Sequence, residues 1–522
     1  MFFVQFKYKH PRIGTSTIYT KMTHSLPPNF DISALQSILV KSKAPEELGS
    51  STEVKIEIPP LQEWRFELNS KDKLKIKLLK GEAEIFGTEL SPNVQYTFQG
   101  SLKSSISSFK GCTISYDSCV PASEYVSDES CLSPYLNLHL SLEKMRRDAV
   151  AANSPDLVPR VLIIGNKDSG KTSLSKILSS YAERMDHIPL LVNLDTSTPQ
   201  FVVPGSMTAT AISDMFNVEN INLGETITTG VTFYHQKQPL VKTYGLEDRA
   251  TNLKLYKYLL EKLGQSIDKR TSNDPSIASS GIIVDTPSFS SADSDLIQFI
   301  VEKLSINVLV VIGNERFLVD LKKKFNNSSF TKKGDLHLIK VNKSGGVVDK
   351  DEKYEREVLQ RCIREYFYGF DSVILSPYTF TTTISELIIL KPVEVDSRMA
   401  NLAFLSGDMT DQDEEDDHIG NGGTKPTDFK KLIERVENPN SAMLSNAVLS
   451  IVNSEKIDFS KYYSTNELND QLYQNVLNSS TIGFGYVSYC NDEENRLKLL
   501  VPLPVQQLPS KILILTQFRY HE

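Results

Sequence analysis

The segment 165–172, which reads Gly-Asn-Lys-Asp-Ser-Gly-Lys-Thr, constrains this chain more than any other feature. Residues 161–164 are apolar throughout and predict a buried strand directly before it. The pattern of residues 173–184 predicts a helix directly after it. A strand, a loop of the form G-x-x-x-x-G-K-[ST] and a helix in this order form a phosphate-binding loop, or P-loop. The segment therefore predicts an α/β core that binds a purine nucleoside triphosphate, with ATP and Mg²⁺ as the expected cofactors.

The residue types of this loop suit the phosphates of a nucleotide. Gly165 and Gly170 allow the backbone to turn its N–H groups inward, and the helix that starts near Lys171 adds the positive end of a dipole. The Lys171 ammonium reaches the β- and γ-phosphates, and the Thr172 hydroxyl is a hard oxygen ligand for Mg²⁺. The predicted cofactor-binding residues of the loop are Gly165, Asn166, Lys167, Asp168, Ser169, Gly170, Lys171, Thr172 and Ser173.

Two aspartates follow predicted strands and are candidates for the metal site. Asp195 follows the apolar run 190–194, and Asp285 follows the run 281–284. Ligands of open α/β sheets gather at the carboxyl ends of strands, so both carboxylates are candidate Mg²⁺ ligands beside Thr172. An aspartate at such a position can instead cap the next helix, and the sequence leaves both roles open.

A guanine nucleotide fits the sequence less well than ATP. A guanine pocket requires N-K-x-D, whereas residues 342–345 read N-K-S-G. Residues 285–288 read D-T-P-S and lack the glycine of D-x-x-G. These departures leave ATP as the predicted nucleotide.

The hydrophobic pattern divides the chain into three folded parts. Residues 51–132 contain short alternating runs, such as 54–58 and 74–78, and predict a small N-terminal β domain. Residues 133–390 alternate apolar strands with helical stretches and predict the P-loop domain, with a parallel sheet covered on both faces. Residues 391–522 contain strand-like runs again and predict a β-rich α+β domain. The predicted fold class is α/β, with a central P-loop domain between two β-rich domains.

Two segments do not fit this folded pattern. Residues 1–50 lack steady periodicity and predict a poorly ordered extension, in which Met22 is an alternative start. Residues 407–427 combine clustered carboxylates with glycines. Because like charges repel and glycine adds chain entropy, this segment predicts a solvated acidic loop within the C-terminal domain.

Composition limits the classes of function that remain. The formal net charge of −8 argues against a protein that coats nucleic acid by bulk electrostatics. The five cysteines include no C-x-x-C pair, so neither a disulfide framework nor a zinc site is predicted, and reduced thiols suit the cytosol or the nucleus. No apolar run approaches the ~20 residues of a membrane span, so no membrane partner is predicted.

Several motifs spread over all three parts carry a family resemblance. They are residues 84–90 (E-I-F-G-T-E-L), the P-loop, residues 193–195 (N-L-D), 203–205 (V-P-G), 363–369 (I-R-E-Y-F-Y-G) and 508–511 (L-P-S-K). With these motifs the chain resembles, over roughly residues 55–522, the Clp subunit family of the eukaryotic mRNA 3′-end cleavage and polyadenylation machinery. This family is related to the RNA 5′-hydroxyl polynucleotide kinases. The resemblance implies the three-domain arrangement predicted above and a nuclear location.

The resemblance also implies nucleotide contacts that the P-loop alone does not predict. In this family the N-terminal domain closes over the nucleotide base, which one acidic residue and one lysine contact. The matching residues of this chain are Glu63 and Lys103. From the sequence alone both are ordinary surface charges.

The active kinases of the family use an aspartate in a D-x-G-Q stretch as general base and a tryptophan as a clamp on the terminal base. Here Asp195 remains as a vestigial candidate for the base, but residues 195–198 read D-T-S-T. Phe289 stands at the clamp position, and the chain's one tryptophan, Trp64, belongs to the N-terminal domain. Both features therefore depart from the pattern of the active kinases.

The active kinases also use an arginine lid with R-x-x-x-R spacing. The lid region 347–364 contains Arg356, Arg361 and Arg364 without that spacing, and Glu355 and Leu359 stand where the arginines are expected. Arginines that stabilise the charge of phosphoryl transfer are worth ~10³-fold or more in rate. The departures therefore predict nucleotide binding with negligible chemistry.

Two functions stay open on the sequence. The first is a non-catalytic ATP-binding scaffold subunit of cleavage factor IA, with no catalytic residues. The resemblance implies that such a subunit binds the Pcf-type scaffold protein that reads the RNA polymerase II tail, other 3′-end processing subunits, and RNA only indirectly or weakly. The second is an active ATP-dependent RNA 5′-hydroxyl kinase.

Overall fold

The computed structural model describes residues 53–220, 239–326, 336–370, 373–395, 428–455, 457, 470–502 and 507–521 of the chain. The predicted extension 1–50 and the predicted acidic loop 407–427 lie outside the described residues. Within the described part, no helix is both long enough and apolar enough to cross a membrane.

Nine strands form the N-terminal region: β1 (Val54–Ile58), β2 (Gln62–Leu68), β3 (Lys73–Gly81), β4 (Glu84–Ile85), β5 (Thr88–Glu89), β6 (Gln95–Gln99), β7 (Leu102–Ser108), β8 (Cys112–Asp117) and β9 (Ser123–Ser127). They make two antiparallel sheets, with the strand orders β1-β8-β3-β6 and β5-β4-β7-β2-β9. Alternation in β3 buries Leu74, Ile76 and Leu78, so one face of its sheet is apolar. That face packs with Trp64 and Phe66 of β2 in one shared core. The predicted N-terminal β domain is therefore confirmed as a β-sandwich.

Seven strands form the central sheet: β10 (Arg160–Gly165), β11 (Leu190–Asn193), β12 (Ser206–Ala211), β13 (Leu240–Thr243), β14 (Ile282–Asp285), β15 (Val308–Ile312) and β16 (His337–Val341). Their order is β13-β12-β11-β14-β10-β15-β16. The five strands from β11 to β16 in this order are parallel, as their unbroken apolar runs predict. The antiparallel strands β12 and β13 extend the sheet at one edge and were not predicted. They escaped prediction because they are short and mix threonine or lysine with apolar residues.

Six helices accompany the central sheet: α1 (Leu132–Ala151), α2 (Lys171–Glu183), α3 (Leu253–Asn273), α4 (Pro275–Ser280), α5 (Ser294–Lys303) and α6 (Glu315–Asn326). Short 3₁₀ turns lie at Pro155–Leu157, Arg249–Asn252 and Ser291–Asp293. Val161 and Ile163 of β10 pack in one core with α1 and α2, whereas Leu162 and Ile164 pack in another with α3, α5 and α6. The predicted sheet covered on both faces is thus confirmed.

The order of the parallel strands places a crevice beside β10. From β10 the chain passes through α2 to β11 on one side of the sheet, whereas β15 lies on the other side of β10. Strand order that reverses in this way opens a crevice at the carboxyl ends of the strands, where ligands of open α/β sheets bind. The P-loop follows β10 and therefore lies at this crevice.

Helix α7 (Glu352–Tyr368) follows the central sheet within the predicted P-loop domain 133–390. The C-terminal part contains α8 (Ser441–Leu444) and α9 (Asp470–Asn478), and the strands β17 (Gly369–Phe370), β18 (Val373–Ile374), β19 (Tyr378–Thr383), β20 (Ile388–Pro392), β21 (Ile433–Arg435), β22 (Ala447–Val452), β23 (Thr481–Asn491), β24 (Arg496–Val501) and β25 (Ile512–Arg519). Two further 3₁₀ turns lie at Ile384–Glu386 and Phe429–Lys431. Strands β17 and β18 pair with each other, and the other seven form a sheet with the order β19-β24-β23-β22-β25-β20-β21. All neighbours in the large sheet are antiparallel except β20 and β25. The predicted boundary at 390/391 falls within β20, and the exact division of the chain into domains stays a prediction.

The C-terminal sheet and the central domain share buried residues. Leu390 of β20 and Ile514 of β25 lie in the same apolar core as Leu260 of α3. Lys242 of β13 is buried, and its Nζ donates hydrogen bonds of 2.7 Å to the carbonyl oxygens of Asn478 and Ser479 at the end of α9. A cation at the C-terminus of a helix satisfies its last carbonyl groups and complements its dipole.

Candidate nucleotide-binding site

A cavity of about 630 Å³ lies between the P-loop and the N-terminal β-sandwich. It brings together residues that are far apart in the chain, and its walls include the predicted site residues Glu63, Lys103, Lys167, Asp168, Ser169, Gly170, Lys171, Thr172, Ser173 and Asp195. Three other predicted residues, Gly165, Asn166 and Asp285, do not line this cavity. The sandwich and the P-loop domain thus contribute opposite walls of one site.

The two predicted glycines of the P-loop are each required for a different steric reason. Gly170 has a φ of 89°, a left-handed conformation that is strained for residues with a Cβ. A Cβ on Gly165, the last residue of β10, would lie 2.7 Å from Ser169 Oγ. The first turn of α2 contains no acidic residue, so the positive end of the helix dipole is left for a ligand anion.

Lys171 is the first residue of α2 and is buried. Its Nζ donates a hydrogen bond of 2.8 Å to the carbonyl oxygen of Asn166. Burial lowers the pKa of Lys171, and the negative charges of Asp285, Asp195 and Asp168 act in the opposite direction. The ammonium is therefore held at the loop, among the carboxylates that a Mg²⁺–phosphate group would contact.

The two candidate Mg²⁺ ligands have different environments. Asp285 is fully buried and accepts hydrogen bonds from Gln200 Nε2 at 2.7 Å and from the Thr172 hydroxyl. Burial raises the pKa of Asp285 to about 6, and the bond from Thr172 opposes that rise. Asp195 lines the cavity, and its Oδ1 accepts hydrogen bonds from the N–H and the hydroxyl of Ser197 at 3.0 and 2.7 Å. Asp195 thus faces the cavity directly, whereas Asp285 is bonded to Thr172, which lines it.

The donor set suits Mg²⁺ only together with phosphate oxygens. Among the described residues, no group of three or more His, Cys, Asp or Glu side chains is arranged to hold a metal ion. Mg²⁺ in nucleotide sites is commonly held by one or two carboxylates plus phosphates and waters. Thr172 and Asp195 fit that pattern, so the residues present fit a Mg²⁺–ATP group.

Glu63 reaches the cavity from β2 and is positioned by Arg65. Arg65 Nε donates a hydrogen bond of 2.7 Å to Glu63 Oε1, and Arg65 Nη2 donates one of 2.8 Å to the carbonyl oxygen of Glu129. Gly346, from the loop after β16, packs so closely that a Cβ there would lie 2.6 Å from Arg65 Nε. Arg65 therefore orients Glu63 and also joins the sandwich to the P-loop domain.

Lys103 reaches the same cavity from β7. Its Nζ lies 3.5 Å from Glu67 Oε2 and 5.4 Å from the centroid of the Tyr354 ring. Tyr354 belongs to α7, and burial raises its pKa to about 12, so the ring stays neutral beneath the ammonium. This cation–π contact is a second link between the sandwich and the P-loop domain.

Two of the three arginines of the lid region 347–364 lie away from the cavity, whereas Arg361 lines it. Arg356 points to solvent with a side chain that is 73% exposed, and Arg364 is exposed as well. Glu355 and Leu359, which stand at the expected arginine positions, line the cavity instead. The cavity-facing side of this helix therefore lacks a guanidinium at those two positions.

The remaining arginine of the lid fastens the helix to the sandwich. Arg361 donates to the carbonyl oxygen of Gln99 through Nη1 and to Glu365 Oε1 through Nε, the latter at 2.8 Å. Near it, the Ser101 hydroxyl donates to the carboxylate of Glu357. Through these bonds α7 closes one end of the cavity.

The P-loop binds the other end of the lid region. Glu355 Oε1 lies 2.8 Å from Lys167 Nζ, and Asp168 Oδ2 accepts a hydrogen bond of 3.1 Å from the N–H of Lys350. The lid thus connects the P-loop to the sandwich on both sides of the cavity.

The residue at the clamp position is placed in the core. Phe289 is 1% exposed, and its ring lies 4.9 Å from Arg249 Cζ. Its neighbours Pro287 and Ser288 line the cavity, but Phe289 does not. Trp64 is buried inside the sandwich, where its Nε1 donates to Glu124 Oε2 at 3.0 Å. Neither ring is therefore placed to stack on a nucleic-acid base in this cavity.

Sequence reasoning missed two residues that the geometry brings to the site. Arg65 is two residues from Glu63 and lies on the same face of β2, so strand alternation contains the signal. Lys176 lines the cavity from α2, four residues after Thr172, and helical spacing contains the signal there.

Protein-family models match the chain in three successive segments. A model of the N-terminal beta-sandwich domain of polyadenylation factor matches residues 57–149, one of the mRNA cleavage and polyadenylation factor CLP1 P-loop matches residues 165–369, and one of the pre-mRNA cleavage complex II protein Clp1 matches residues 375–522. The matched segments follow the sandwich, the P-loop domain and the C-terminal sheet.

Curated relatives match along most of their length. The mRNA cleavage and polyadenylation factor CLP1 of Debaryomyces hansenii is 37% identical over 491 residues, which cover 90% of this chain and 95% of the relative. The factor of the same name from Candida albicans is 36% identical over 493 residues, which cover 91% and 97%.

Two solved structures resemble the chain with 31% sequence identity and a TM-score of 0.74. One is of the wild-type Clp1p–Pcf11p complex, and the match covers 91% of this chain and 99% of that one. The other concerns the extended interface between Pcf11p and Clp1p and the structural basis for ATP loss in a glycine-to-arginine point mutant, and covers 91% and 100%.

Proposed function

The chain belongs to the Clp1 family of mRNA cleavage and polyadenylation factors, and from this premise we propose that it is an ATP-binding, non-catalytic scaffold subunit of the nuclear machinery that cleaves pre-mRNA 3′ ends. The observation that carries this proposal is the combination of an intact P-loop with a lid that presents Glu355 and Leu359 to the cavity.

The residues of the site support binding more strongly than chemistry. Lys171 and the N-terminus of α2 would hold the phosphates, Thr172 and Asp195 would hold Mg²⁺, and Glu63 and Lys103 would contact the base. When bound, Mg²⁺ neutralises phosphate charge. Of the lid arginines only Arg361 lines the cavity, where it donates to Glu365 and to the Gln99 carbonyl oxygen. The ~10³-fold or greater rate contribution of an arginine pair at the expected positions is therefore missing.

Asp195 supports this assignment in a second way. A general base adds ~10²–10⁴-fold in rate only when it is positioned on the proton that it removes. The Ser197 N–H and hydroxyl already donate to Oδ1 of Asp195, which fixes the carboxylate against its own loop. With Phe289 in the core, the cavity also lacks an aromatic clamp at that position for an RNA end.

The partner follows from the relatives rather than from a surface of this chain. The solved Clp1p–Pcf11p complex supports a Pcf11-type scaffold subunit as the partner. The second solved structure concerns both the Pcf11p–Clp1p interface and the loss of ATP in a point mutant. ATP in this chain would then stabilise the domain that holds the partner, and RNA would be reached through other subunits.

Two measurements test the proposal. The full chain is purified without chelator and denatured, and the released nucleotide is identified; we expect ATP from wild type and little from the Lys171→Ala, Thr172→Ala double variant. The folded protein is then incubated with labelled ATP and a 5′-hydroxyl oligoribonucleotide, and we expect no transfer above background. Transfer that disappears in an Asp195→Asn variant would establish the kinase alternative, and wild type that neither retains nor binds ATP would refute the proposal.

A further inference from the structure

Lys176 stands on the P-loop helix at a position that faces the cavity. It follows Thr172 by four residues, so both side chains lie on one face of α2. Side chains on a helix lean toward its N-terminus, which directs Lys176 over the turn that contains Thr172. Lys176 lines the same cavity as Lys171.

Among the described residues, the ammonium of Lys176 has no ion-pair partner. In the described ranges of the chain, no carboxylate lies within ion-pair distance of its Nζ. Burial lowers the pKa of Lys176 to about 8, with Asp285 acting to raise the pKa and Lys350 to lower it. Lys176 is half-buried, and a partly desolvated cation without an ion-pair partner costs stability that an anion joining it would restore. Lys171 differs, because it donates to the Asn166 carbonyl.

The N-terminal sandwich holds this ammonium in place. The ring of Phe86 lies 5.8 Å from Lys176 Nζ, centroid to nitrogen, in cation–π range. Phe86 occupies the turn between β4 and β5, inside the family motif 84–90.

This β4–β5 hairpin is docked tightly on α2. A Cβ on Gly87 would lie 3.0 Å from Ser180 Cβ, and the Tyr181 hydroxyl donates a hydrogen bond of 2.5 Å to Glu84 Oε1. Thr88 Oγ1 lies 3.3 Å from Ser180 Oγ. The hairpin therefore fixes the position of Phe86 relative to the P-loop helix.

We propose that Lys176 is a second phosphate-binding cation of this site and that Phe86 is its positioning residue. The inference rests on the proposed ATP binding and assigns to the motif 84–90 the task of aiming Lys176 at the phosphate groups. A triphosphate placed on the P-loop supplies the anion that Lys176 lacks. The N-terminal sandwich then contributes to binding the phosphates as well as the nucleotide base.

Calorimetric titration of the nucleotide-free full chain with ATP and with adenosine tests the assignment. Wild type is compared with Lys176→Met, which keeps the long stem without the charge, and with Lys176→Arg. Lys498→Met is the matched control, because Lys498 Nζ lies 5.0 Å from the Tyr489 ring, outside the cavity. We expect the Kd for ATP to rise about 10- to 100-fold in Lys176→Met. The Kd for adenosine should change less than about twofold, and both Lys176→Arg and Lys498→Met should stay near wild type.

A second pair of variants tests the positioning role of Phe86. Phe86→Leu keeps an apolar side chain without an aromatic face, and Phe86→Tyr keeps the face. Cation–π contacts of about 0.5–2 kcal/mol correspond to a Kd for ATP about 2- to 30-fold higher in Phe86→Leu, with adenosine unaffected. Phe86→Tyr should restore wild-type affinity.

The outcomes separate this inference from the proposed function. Unchanged ATP affinity in Lys176→Met overturns the role of Lys176, and equal losses for ATP and adenosine do so as well, because they indicate a general defect. If Lys176→Met does not fold by near-ultraviolet circular dichroism, Lys176→Gln is measured in its place under the same criteria. Wild type that does not bind ATP refutes the proposed function itself.

Discussion

The two β-rich parts of the molecule join the central domain in different ways. The C-terminal sheet shares an apolar core with it, in which Leu390 and Ile514 pack with residues of α3. Apart from Phe86 and Val218, which lies in the sandwich core, the N-terminal sandwich meets the central domain around the cavity through charged and polar side chains such as Arg65, Lys103 and Arg361. The C-terminal junction is thus a continuous apolar core, and the N-terminal junction surrounds the nucleotide site.

The difference is energetic as well as chemical. Apolar burial stabilises by roughly 25 cal/mol per Å² and does not require a ligand. A hydrogen bond contributes only about 0.5–1.5 kcal/mol net, and somewhat more when one partner is charged. The N-terminal junction should therefore depend on bound nucleotide, whereas the C-terminal junction should not.

The largest expected effect comes from the C-terminal junction. Leu390→Ala removes a fully buried side chain and should lower the free energy of unfolding by about 2–5 kcal/mol. The loss should be the same with and without ATP, as measured by urea denaturation. Ile374→Ala, at a side chain that is 81% exposed, is the control and should change stability by less than about 0.5 kcal/mol. If the loss of unfolding free energy in Leu390→Ala disappears on addition of ATP, the C-terminal junction depends on nucleotide and the two junctions do not differ in this respect.

The second prediction concerns pH and His139, which lies under the sandwich junction. The buried ring lies 5.5 Å from that of Tyr181, the residue that binds Glu84 of the hairpin. Burial, with help from Arg146, lowers the pKa of His139 to about 4. The unfolded chain therefore takes up the proton first, and stability that is complete above about pH 6.5 is lost as pH falls toward 4, by up to about 1.4 kcal/mol per pH unit.

Urea denaturation between pH 7.5 and 5 measures this loss. His139→Gln should make the dependence on pH shallower by about 1 kcal/mol per unit below pH 6.5. A substitution of exposed His337, His337→Gln, should leave it unchanged. Parallel curves for wild type and His139→Gln would show that acid acts on the junction through other groups.

The lid provides a third, smaller test of the N-terminal junction. Arg361→Ala removes the bonds to the Gln99 carbonyl and to Glu365, so the cavity should open more often. We expect bound nucleotide to dissociate about tenfold faster, in a chase with unlabelled ATP. Arg356→Ala changes a solvent-exposed arginine of the same helix and is the matched control. Equal dissociation rates in the two variants would mean that α7 does not limit release.

The smallest expected effect is that of Ser101→Ala. This change removes the hydroxyl that donates to Glu357 and should speed dissociation by about threefold. A double-mutant cycle with Arg361→Ala measures whether the two bonds act as one closure, in which case the combined effect is less than the product. Strict additivity would indicate independent contacts.

The sequence predicted those parts of the fold in which one local pattern decides the structure. The apolar runs of β10, β14 and β15 predicted parallel strands, and the P-loop spacing predicted the turn before α2. Strands β12 and β13 were missed because Ser206–Ala211 and Leu240–Thr243 mix polar and apolar residues, although most of these residues are buried. Their pairing is set by the neighbouring strand, which a local pattern does not contain.

The site was harder to predict because its walls come from separate domains. Glu63 and Lys103 were identified by resemblance, and their roles in binding stay predictions. The positions of Arg65 and Lys176 at the site became evident only from the fold, which places Gly346 beside Arg65 and Phe86 beside Lys176. Phe289 was assigned to a clamp position, yet its packing with the core places it away from the cavity.

The position of strand β25 in its sheet has a consequence for folding during synthesis on the ribosome. Strand β25 lies between β22 and β20, both of which are made earlier in the chain. Until Ile512–Arg519 has left the ribosome, β20 and β22 have no strand between them, and their apolar faces are not yet packed. The sandwich, β10–β16 and α7 all precede β25, so the walls of the nucleotide cavity are synthesised before it, whereas the apolar core that Leu260 shares with Ile514 is complete only once β25 has emerged. The cavity is thus synthesised before the core beneath it is complete, and the edges of β20 and β22 that β25 later pairs are the segments on which a chaperone would act in that interval.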